Sequence, residues 1–541
     1  MRAFYWEMLC LAVLLLALAP AGGCKKESAK VSSVELASET DLGLTIGSLA
    51  TVSKPEPVAL QGYGLVGGLA GTGSAYCPPQ VRAYLKQYIP TQLPSEQVNV
   101  DELINSKNTA VVLLEGEVPA VPSKEEHFDV RVASVPGSDA TSIQGGWLYK
   151  TNLLPRGIFG AGIRPLATVE GPVFINSVGD AEPDLKSGYI LGGGRVPYDY
   201  TALLRLRQPG FRTASLIRNR LSERYGPGVA QAMSPRDIEV RIPPEYRYRK
   251  QGFMAMVPAT FLTATEELTQ ARVNAFVRRL AVSDNKDESE VALEAIGRES
   301  LAKLNVLLSA SDAEVRLRAA RCMLSLGDDR GLAVLRALAM DKNSPHRLAA
   351  LEAVAVSARR NDASALARRL LRDDDVTVVL AAYEHLRRME DPAVTREPVG
   401  RSFLLEQVAQ TNHKAIFAAR SGDPRVVLFG APLVCSDNVF VESPDKTIVV
   451  NSQAGQGSVS VFRKHPTRPG VVGPIRTGRN LRDLILALGD EGGKAKQGQL
   501  AGLDVSYAQV MALLEQLSAK EAVAAQFWAG PLPKIDLPVK K

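Results

Sequence analysis

The glycine spacing over residues 61–73 is the feature of the sequence most typical of a ligand-binding site. Residues 62–67 fit the pattern G-x-G-x-x-G, in which glycines let a turn hold a dinucleotide pyrophosphate against the start of a helix. That function needs a strand before the turn and a helix directly after it. Here glycines continue to Gly73, and the next helical pattern begins only beyond Pro79. The sequence therefore argues against nucleotide binding, and it contains no P-loop pattern.

Other residues that could act in catalysis or metal binding are scattered. No two histidines have the spacing of metal ligands; they are His127, His346, His385, His413 and His465. His346 and His385 fall in a helical region, where we expect exposed positions. Three aspartates at 373–375 could bind a cation, but a solvated helix start explains them better. No G-x-S-x-G elbow occurs, so we predict no enzyme, cofactor or metal site.

The cysteines suggest an exported protein. They are Cys10, Cys24, Cys77, Cys322 and Cys435. The first would leave with a signal peptide and the second would be lipidated, which leaves an odd number. A disulfide between Cys77 and Cys435 stays open, whereas Cys322 lies on a helical apolar face and is predicted to be a buried small residue.

The N-terminal 24 residues predict a signal peptide. Their apolar run over residues 8–19 is too short to span a bilayer. Small residues from Ala21 precede Cys24, which resembles a lipobox without its usual leucine, and we predict lipidation at Cys24. An ordinary secretory signal and a retained anchor are the alternatives. The polar residues 25–41 predict a tether, which would hold the chain at a membrane face.

The composition is that of a globular protein with several cores. The chain has 541 residues, of which 45% are hydrophobic and 23% charged, with a net charge of +6. Two to four domains fit this length. The charge is small for such a chain, so we predict no nucleic-acid partner.

Strands and helices intermingle over residues 42–267. Alternating or β-branched runs predict strands at 109–118, 128–135, 140–148, 166–173 and 237–242. Helical spacing predicts helices over 78–89, ended by Pro90, and over 215–225, with Leu216 buried. Glycines at 192–194 predict a sharp turn. We expect an α+β body.

From residue 268 a repeat of about 31 residues appears. It relates Ala319 to Ala350 and Ala381, Asp312 to Asn343 and Asp374, and Leu317 to Leu348 and Val379. This period resembles HEAT repeats and predicts an inserted α-helical solenoid over 268–397. Short strands and two helices follow over 398–530, and residues 531–541 predict a basic, disordered tail.

Three blocks follow one another in a characteristic order. Residues 62–73 are Gly-Tyr-Gly-Leu-Val-Gly-Gly-Leu-Ala-Gly-Thr-Gly, residues 129–134 are Asp-Val-Arg-Val-Ala-Ser, and residues 139–146 are Asp-Ala-Thr-Ser-Ile-Gln-Gly-Gly. The series resembles the flagellar basal-body P-ring protein family. The resemblance is close over 42–262 and loose over 398–530.

The resemblance implies a structural subunit without a cofactor. Copies would form a periplasmic ring around the flagellar rod, at the peptidoglycan layer and near the L-ring proteins. The residues it singles out for assembly or packing are Gly62, Tyr63, Gly64, Gly67, Gly71, Gly73, Gln144, Gly145 and Gly146. Their glycines would let neighbouring subunits approach closely; a turn within one subunit's own core is an equal alternative.

Two further hypotheses come from other classes of protein. The lipidation signal and the altered C-terminal half fit a lipid-anchored periplasmic scaffold or adaptor, attached to the outer membrane and outside any flagellum. An envelope hydrolase acting on peptidoglycan is the third, and no catalytic motif supports it.

Overall fold

The computed structural model describes most of the chain. The described ranges are 42–52, 56–92, 99–160, 162–179, 182–464, 471–490 and 502–534. The predicted signal peptide, Cys24, the tether, His465 and residues 535–541 of the predicted tail lie outside them. The predicted class, α+β with helical repeats, is confirmed. None of the helices in these ranges combines the length and apolar character needed to cross a membrane.

The first region alternates strands with a few helices. Its elements in chain order are α1 (Ile46–Leu49), β1 (Ala50–Val52), β2 (Val58–Gly67), α2 (Pro79–Gln92), α3 (Val100–Ile104), β3 (Thr109–Val118), β4 (His127–Ser134), β5 (Trp147–Pro155), β6 (Ala167–Pro172), β7 (Ser187–Arg195), β8 (Thr201–Leu206), α4 (Phe211–Tyr225), β9 (Ala230–Ala232), β10 (Asp237–Arg241), a 3-10 turn (Pro244–Tyr246) and α5 (Lys250–Ala259).

Six strands close into a barrel in the order β2-β3-β4-β7-β6-β5. β2 is antiparallel to β3 from Val58 opposite Val118 to Gly67 opposite Thr109, and it pairs with β5 on its other side. β3 and β4 alternate buried and less buried residues, so one face of each fills the interior. The glycine-rich segment is thus mainly a barrel strand.

A four-stranded sheet in the order β1-β8-β10-β9 completes this region. Helices α4 and α5 share its core through Ile217, Leu221 and Phe253, which pack with Ile238 and Val240 of β10. Arg207 donates its backbone N–H to Leu49 (2.9 Å), which joins the first described residues to the end of β8.

Two helices differ from their predictions. α2 continues through Pro90 to Gln92. Because Pro90 lies in the last turn, the helix loses only the one hydrogen bond that its missing backbone N–H would donate. Leu216 is 48% exposed rather than buried. Ala214 and Ile217 face the core instead, since their spacing from Leu221 follows the turn of the helix.

Two glycine-containing segments also differ from their predictions. Gly192 to Gly194 do not turn the chain but lie within β7, where the register shifts opposite Phe128 and Val130. Gly192 has φ +59° there, as a bulge requires. Residues 140–146 form no strand, because Gly145 adopts φ +73° and turns the chain before Trp147 begins β5.

The middle of the described chain is helical. Its helices are α6 (Glu266–Val282), α7 (Asp287–Ile296), α8 (Leu301–Leu307), α9 (Ala313–Ser325), α10 (Arg330–Met340), α11 (Arg347–Ser357), α12 (Arg360–Leu370) and α13 (Val376–Arg388), with a 3-10 turn (Arg298–Ser300). Asp312 caps α9, and Asp375, one residue after its repeat equivalent Asp374, caps α13. Leu348 is 42% exposed although its repeat equivalents are buried, because α11 starts late in its repeat.

His385 on α13 was expected to be exposed, but it is buried with 8% of its surface accessible. Burial and the nearby Arg388 lower its pKa to about 4. The folded state therefore disfavours the charged ring.

The titration of His385 predicts a loss of stability in mild acid. The neutral ring of His385 contributes fully to stability above the unfolded pKa of about 6.5. This contribution is lost as the pH falls towards 4, and the free energy of unfolding then decreases by about 3 kcal/mol in total. We expect the urea midpoint to fall more between pH 7 and pH 5 for the wild type than for His385→Leu. His346→Leu, in the preceding repeat, should fall as the wild type does. An equal fall in all three proteins would refute this role.

The last region returns to strands. Its elements are β11 (Thr395–Val399), β12 (Phe403–Val408), β13 (Ala415–Ala418), β14 (Arg425–Phe429), β15 (Val439–Glu442), β16 (Ile448–Ser452), β17 (Ser458–Lys464), β18 (Val471–Gly478), α14 (Leu481–Gly489), α15 (Tyr507–Ala519) and β19 (Gln526–Ala529). They form a five-stranded sheet, β11-β12-β14-β13-β19, and a four-stranded sheet, β15-β16-β17-β18.

The helical repeats share a core with the five-stranded sheet. Val379 and Tyr383 of α13 belong to the same buried cluster as Phe417, Val427 and Phe429. All residues of β14 are buried, as expected for a strand covered on both faces. Removing the helices would therefore expose one face of this sheet.

Candidate functional site

The glycines of β2 lie where other parts of the barrel approach its backbone. A Cβ atom on Gly62 would lie 2.6 Å from the carbonyl oxygen of Asn152, and one on Gly64 would lie 2.6 Å from the hydroxyl oxygen of Thr151. A Cβ atom on Gly67 would lie 2.7 Å from the Tyr149 hydroxyl. These approaches come from β5 of the same chain, so the close packing at Gly62, Gly64 and Gly67 is internal to the barrel.

The end of the glycine segment folds against the 139–146 loop. The carbonyl of Thr72 accepts the Thr141 N–H at 2.9 Å, and the Thr72 hydroxyl donates to the Ser142 carbonyl at 2.9 Å. The Ser74 hydroxyl donates to the carboxylate of Asp139, which lowers the pKa of that carboxyl. The two blocks that sequence analysis singled out separately therefore form one structure, which we call the glycine junction (residues 69–74 and 139–146).

The remaining glycines have different roles in the glycine junction. Gly146 lies against β2, where a Cβ atom would be 2.4 Å from Cγ1 of Val66, whereas Gly73 lies beside residues 107–109. Gly71 and Gly145 have φ +90° and +73° and open space around them. Gly71, Gln144 and Gly145 are exposed, so this part of the junction is open to a partner.

Comparison with known proteins finds two parts of the chain, each similar to a different family. A family model described as flagellar P-ring protein matches residues 45–279. Residues 45–279 are thus similar to the flagellar P-ring protein family. A second model, described as HEAT repeats, matches residues 302–387. The first part, which we call the P-ring region, contains the barrel, the four-stranded sheet and both halves of the glycine junction.

Curated relatives match the P-ring region over part of their length. Flagellar P-ring protein 1 of Photobacterium profundum is 33% identical over 218 residues, covering 37% of this chain and 54% of that protein. The flagellar P-ring protein of a Helicobacter pylori strain is 30% identical over 225 residues, 39% of this chain and 60% of that protein. Flagellar P-ring protein 2 of Hahella chejuensis is 28% identical over 258 residues, 44% and 65% respectively. The chain thus covers less than two thirds of each of these relatives.

An aromatic groove that sequence analysis missed lies beside Tyr63 in the P-ring region. Phe159 packs edge-on to Tyr63 with centroids 5.5 Å apart, and it contacts Tyr84 of α2 at 5.0 Å. The groove has a volume of about 190 Å³, and Ile158 at its side is 47% exposed. Helical spacing identified Tyr84 only as part of an amphipathic segment, and no local signal relates it to residue 159.

A larger groove of about 560 Å³ separates the P-ring region from the repeats. Its charged side chains largely neutralise one another. Lys250 donates to Glu126 at 2.6 Å, Arg249 pairs with Glu294, and Arg321 pairs with Glu290 at 2.5 Å. Of these pairs, Arg249–Glu294 connects the two regions, and together the three leave a charge-balanced lining.

Asp129 attaches the barrel to the five-stranded sheet. Its carboxylate accepts the N–H of Gly192 at 2.8 Å, the N–H of Gly422 at 3.0 Å and the hydroxyl of Ser421 at 2.6 Å. The bulge at Gly192 brings β7 to this carboxylate. Asp129 belongs to a block that carries the family resemblance, but its distant partners could not be read from that block.

The described part of the chain shows neither a disulfide nor a cluster of metal-binding side chains. Cys77, Cys322 and Cys435 are free and buried, so the suggested Cys77–Cys435 disulfide is wrong: the two residues belong to different buried clusters. Cys322 is buried as predicted, and burial raises the pKa of Cys435 to about 11, which disfavours its thiolate. Among the described residues, no cluster of histidine, cysteine and carboxylate side chains could hold a metal.

The aspartate run forms the expected solvated helix start only in part, because Asp374 and Asp375 are exposed before α13 but Asp373 is not. Asp373 is buried and pairs through both carboxylate oxygens with the buried guanidinium of Arg347. Asp375 caps α13 by accepting the Thr377 N–H at 2.8 Å. The two carboxylates therefore serve the connection between repeats rather than a cation.

Proposed function

We propose that this chain is a structural subunit of the flagellar basal-body P ring. It would assemble with copies of itself into a periplasmic ring around the rod, next to the L-ring proteins and the peptidoglycan layer, without a cofactor or catalysis. The observation that carries the proposal is the family match over 45–279, a span that contains both halves of the glycine junction. A contact between two different surfaces of identical subunits closes a ring when it repeats around an axis.

The glycine junction and the aromatic groove are the candidate assembly surfaces. The exposed Gly71, Gln144 and Gly145 of the junction allow close backbone approach. The groove offers the exposed Ile158 and Phe159. We also propose domains over 42–267, 268–397 and 398–530, with Cys24 as a lipid anchor in the outer membrane.

Electron microscopy of basal bodies tests this function. We expect a strain lacking the gene to have basal bodies without P rings, and the wild-type gene to restore them. Complementation with Ile158→Asp should fail at assembly while the protein stays folded, whereas Val306→Asp, at an exposed helical position outside the P-ring region, should restore rings. Intact rings in the deletion strain would refute the proposal.

A second candidate is a lipid-anchored periplasmic scaffold outside the flagellum. The observation that favours it is the helical region built into the C-terminal half, combined with the partial coverage of the P-ring relatives. Normal rings and motility in the deletion strain, together with loss of an envelope complex that contains this chain, would support it.

A further inference from the structure

One end of the four-stranded sheet, together with α4, carries more arginines than carboxylates. Residues 205–219 include four arginines and no aspartate or glutamate. Arg236 adds a fifth from the neighbouring turn. We call the arginine patch the set Arg205, Arg207, Phe211, Arg212, Leu216, Arg218, Met233 and Arg236.

Backbone hydrogen bonds bring the segments of the arginine patch to one edge of the sheet. Leu206 donates its N–H to the Arg236 carbonyl at 2.7 Å, and Gly210 donates to Pro235 at 2.8 Å. The loop before α4 and the turn before β10 are therefore neighbours. The backbone positions of Arg207 and Arg236 are therefore close although they are far apart in the sequence.

Most of this positive charge is not neutralised. Within the described ranges, the side chains of Arg212 and Arg236 have no hydrogen-bond or ion-pair partner. Arg218 donates only to the neutral Asn219 at 2.8 Å. Asp237 is the one carboxylate in the turn, and Arg205 pairs with it at 3.1 Å. The patch therefore presents a net positive field to its surroundings.

Apolar side chains stand exposed among these arginines. Phe211 is 74% exposed, Met233 59% and Leu216 48%. An exposed aromatic ring beside unpaired guanidiniums is the composition of a surface that enters the headgroup layer of an anionic membrane. The apolar groups would insert at the acyl boundary, and the arginines would meet lipid phosphates.

The arginine patch is bonded to the first residues of the P-ring region. The Arg207 guanidinium donates to the Gly47 carbonyl at 3.3 Å, and Arg220 of α4 donates to Phe261 at 2.8 Å, whose backbone bridges to Thr45. These bonds fix the patch relative to the rest of that region.

We propose that the arginine patch, at one end of the four-stranded sheet, contacts an anionic phospholipid leaflet and orients the P-ring region on the membrane. The inference needs the exposed patch rather than P-ring assembly, so it can fail or hold independently of the proposed function. Each arginine at an anionic surface strengthens binding about fivefold.

Lipid quenching tests the proposal on the full chain. Phe211→Trp places a probe in the patch, and Phe440→Trp places one at an equally exposed phenylalanine (67%) on β15. Each protein is reconstituted in vesicles of acyl-brominated lipids, containing about one third phosphatidylglycerol or only phosphatidylcholine, and the signal of the unmodified chain is subtracted. We expect the position-211 probe to be quenched at least about twofold more than the position-440 probe, and only on the anionic vesicles.

A charge-reversal variant gives the second arm of the test. Adding Arg212→Glu and Arg236→Glu to Phe211→Trp should reduce the quenching at position 211 to that of the control, with an unchanged circular dichroism spectrum. Equal quenching at both positions, or quenching that is independent of phosphatidylglycerol, would overturn the proposal. A position-211 signal that changes with protein concentration in the absence of vesicles would assign the patch to contact between copies and would also overturn it.

Discussion

Replacing Gly73 by alanine is expected to prevent the glycine junction from closing. A Cβ atom at this position would lie 2.1 Å from the carbonyl oxygen of Thr109 and 2.7 Å from that of Lys107. Both atoms belong to the backbone, so the rotation of a side chain cannot relieve the clash. The same carbonyls accept the N–H groups of Ser74 and Gly73 at 2.8 Å each, so any relief of the clash costs hydrogen bonds.

The expected destabilisation of the Gly73→Ala variant is about 3 kcal/mol or more, at or above the upper end of the usual overpacking range. We expect a smaller soluble fraction and rapid proteolysis within 69–74 and 139–146, because these segments separate when the junction opens. Limited proteolysis followed by mass spectrometry identifies the cleavage sites.

Gly71→Ala is the matched control for Gly73→Ala. Gly71 has φ +90° but open space around it, so alanine there meets only the strain of the left-handed conformation, about 1–2 kcal/mol. The barrel should close in this variant. If both variants were cleaved equally at the junction, the backbone contact at Gly73 would not be what holds it together.

Replacing Glu406 by glutamine is expected to weaken the contact between α13 and the five-stranded sheet by about 3–5 kcal/mol. Glu406 on β12 is fully buried. Its carboxylate accepts the Tyr383 hydroxyl, the Nε of Arg387 at 3.1 Å and approaches the Nε of Arg396 at 3.4 Å. The variant leaves two partly buried guanidiniums facing a neutral amide, and among the described residues only Arg387 keeps another carboxylate partner, Asp423.

The protonation of this cluster supports the same expectation. Burial, and then the charge of Glu406, raise the pKa of Tyr383 well above its ordinary value. Tyr383 therefore stays protonated and donates to the carboxylate. A glutamine side chain can accept one such hydrogen bond but cannot neutralise the positive charge of the arginines.

Glu397→Gln is the control for the Glu406 variant. Glu397 pairs with Arg482 through two contacts of 2.6 Å, but both side chains are partly exposed. Water screens such a pair, so we expect a loss of about 1 kcal/mol or less. Urea unfolding followed by near-ultraviolet circular dichroism compares the two variants. A loss for Glu406→Gln no larger than that of the control would show that the buried cluster contributes little net stability.

Local patterns in the sequence determined much of this protein. Continuous apolar, β-branched runs predicted β3 and β14 at their observed bounds, because a strand that is buried on both faces needs apolar residues at successive positions. The period of about 31 residues predicted the repeats. The glycine and Asp-Ala-Thr-Ser blocks predicted the resemblance to the family, since glycines are needed at positions where the backbone turns or packs closely. Expectations failed where burial depends on distant partners, as at His385 and Asp373.

Only the tertiary structure decided what these elements do to one another. It showed that Gly62 and Gly64 accommodate β5 of their own barrel, that Thr72 closes on the 139–146 loop, and that the repeats share a core with the C-terminal sheet. It also brought the turn that carries Arg236 to the loop before α4. These relations depend on contacts between residues far apart in the chain, where register and packing, rather than the spacing of neighbouring residues, determine which side chains meet.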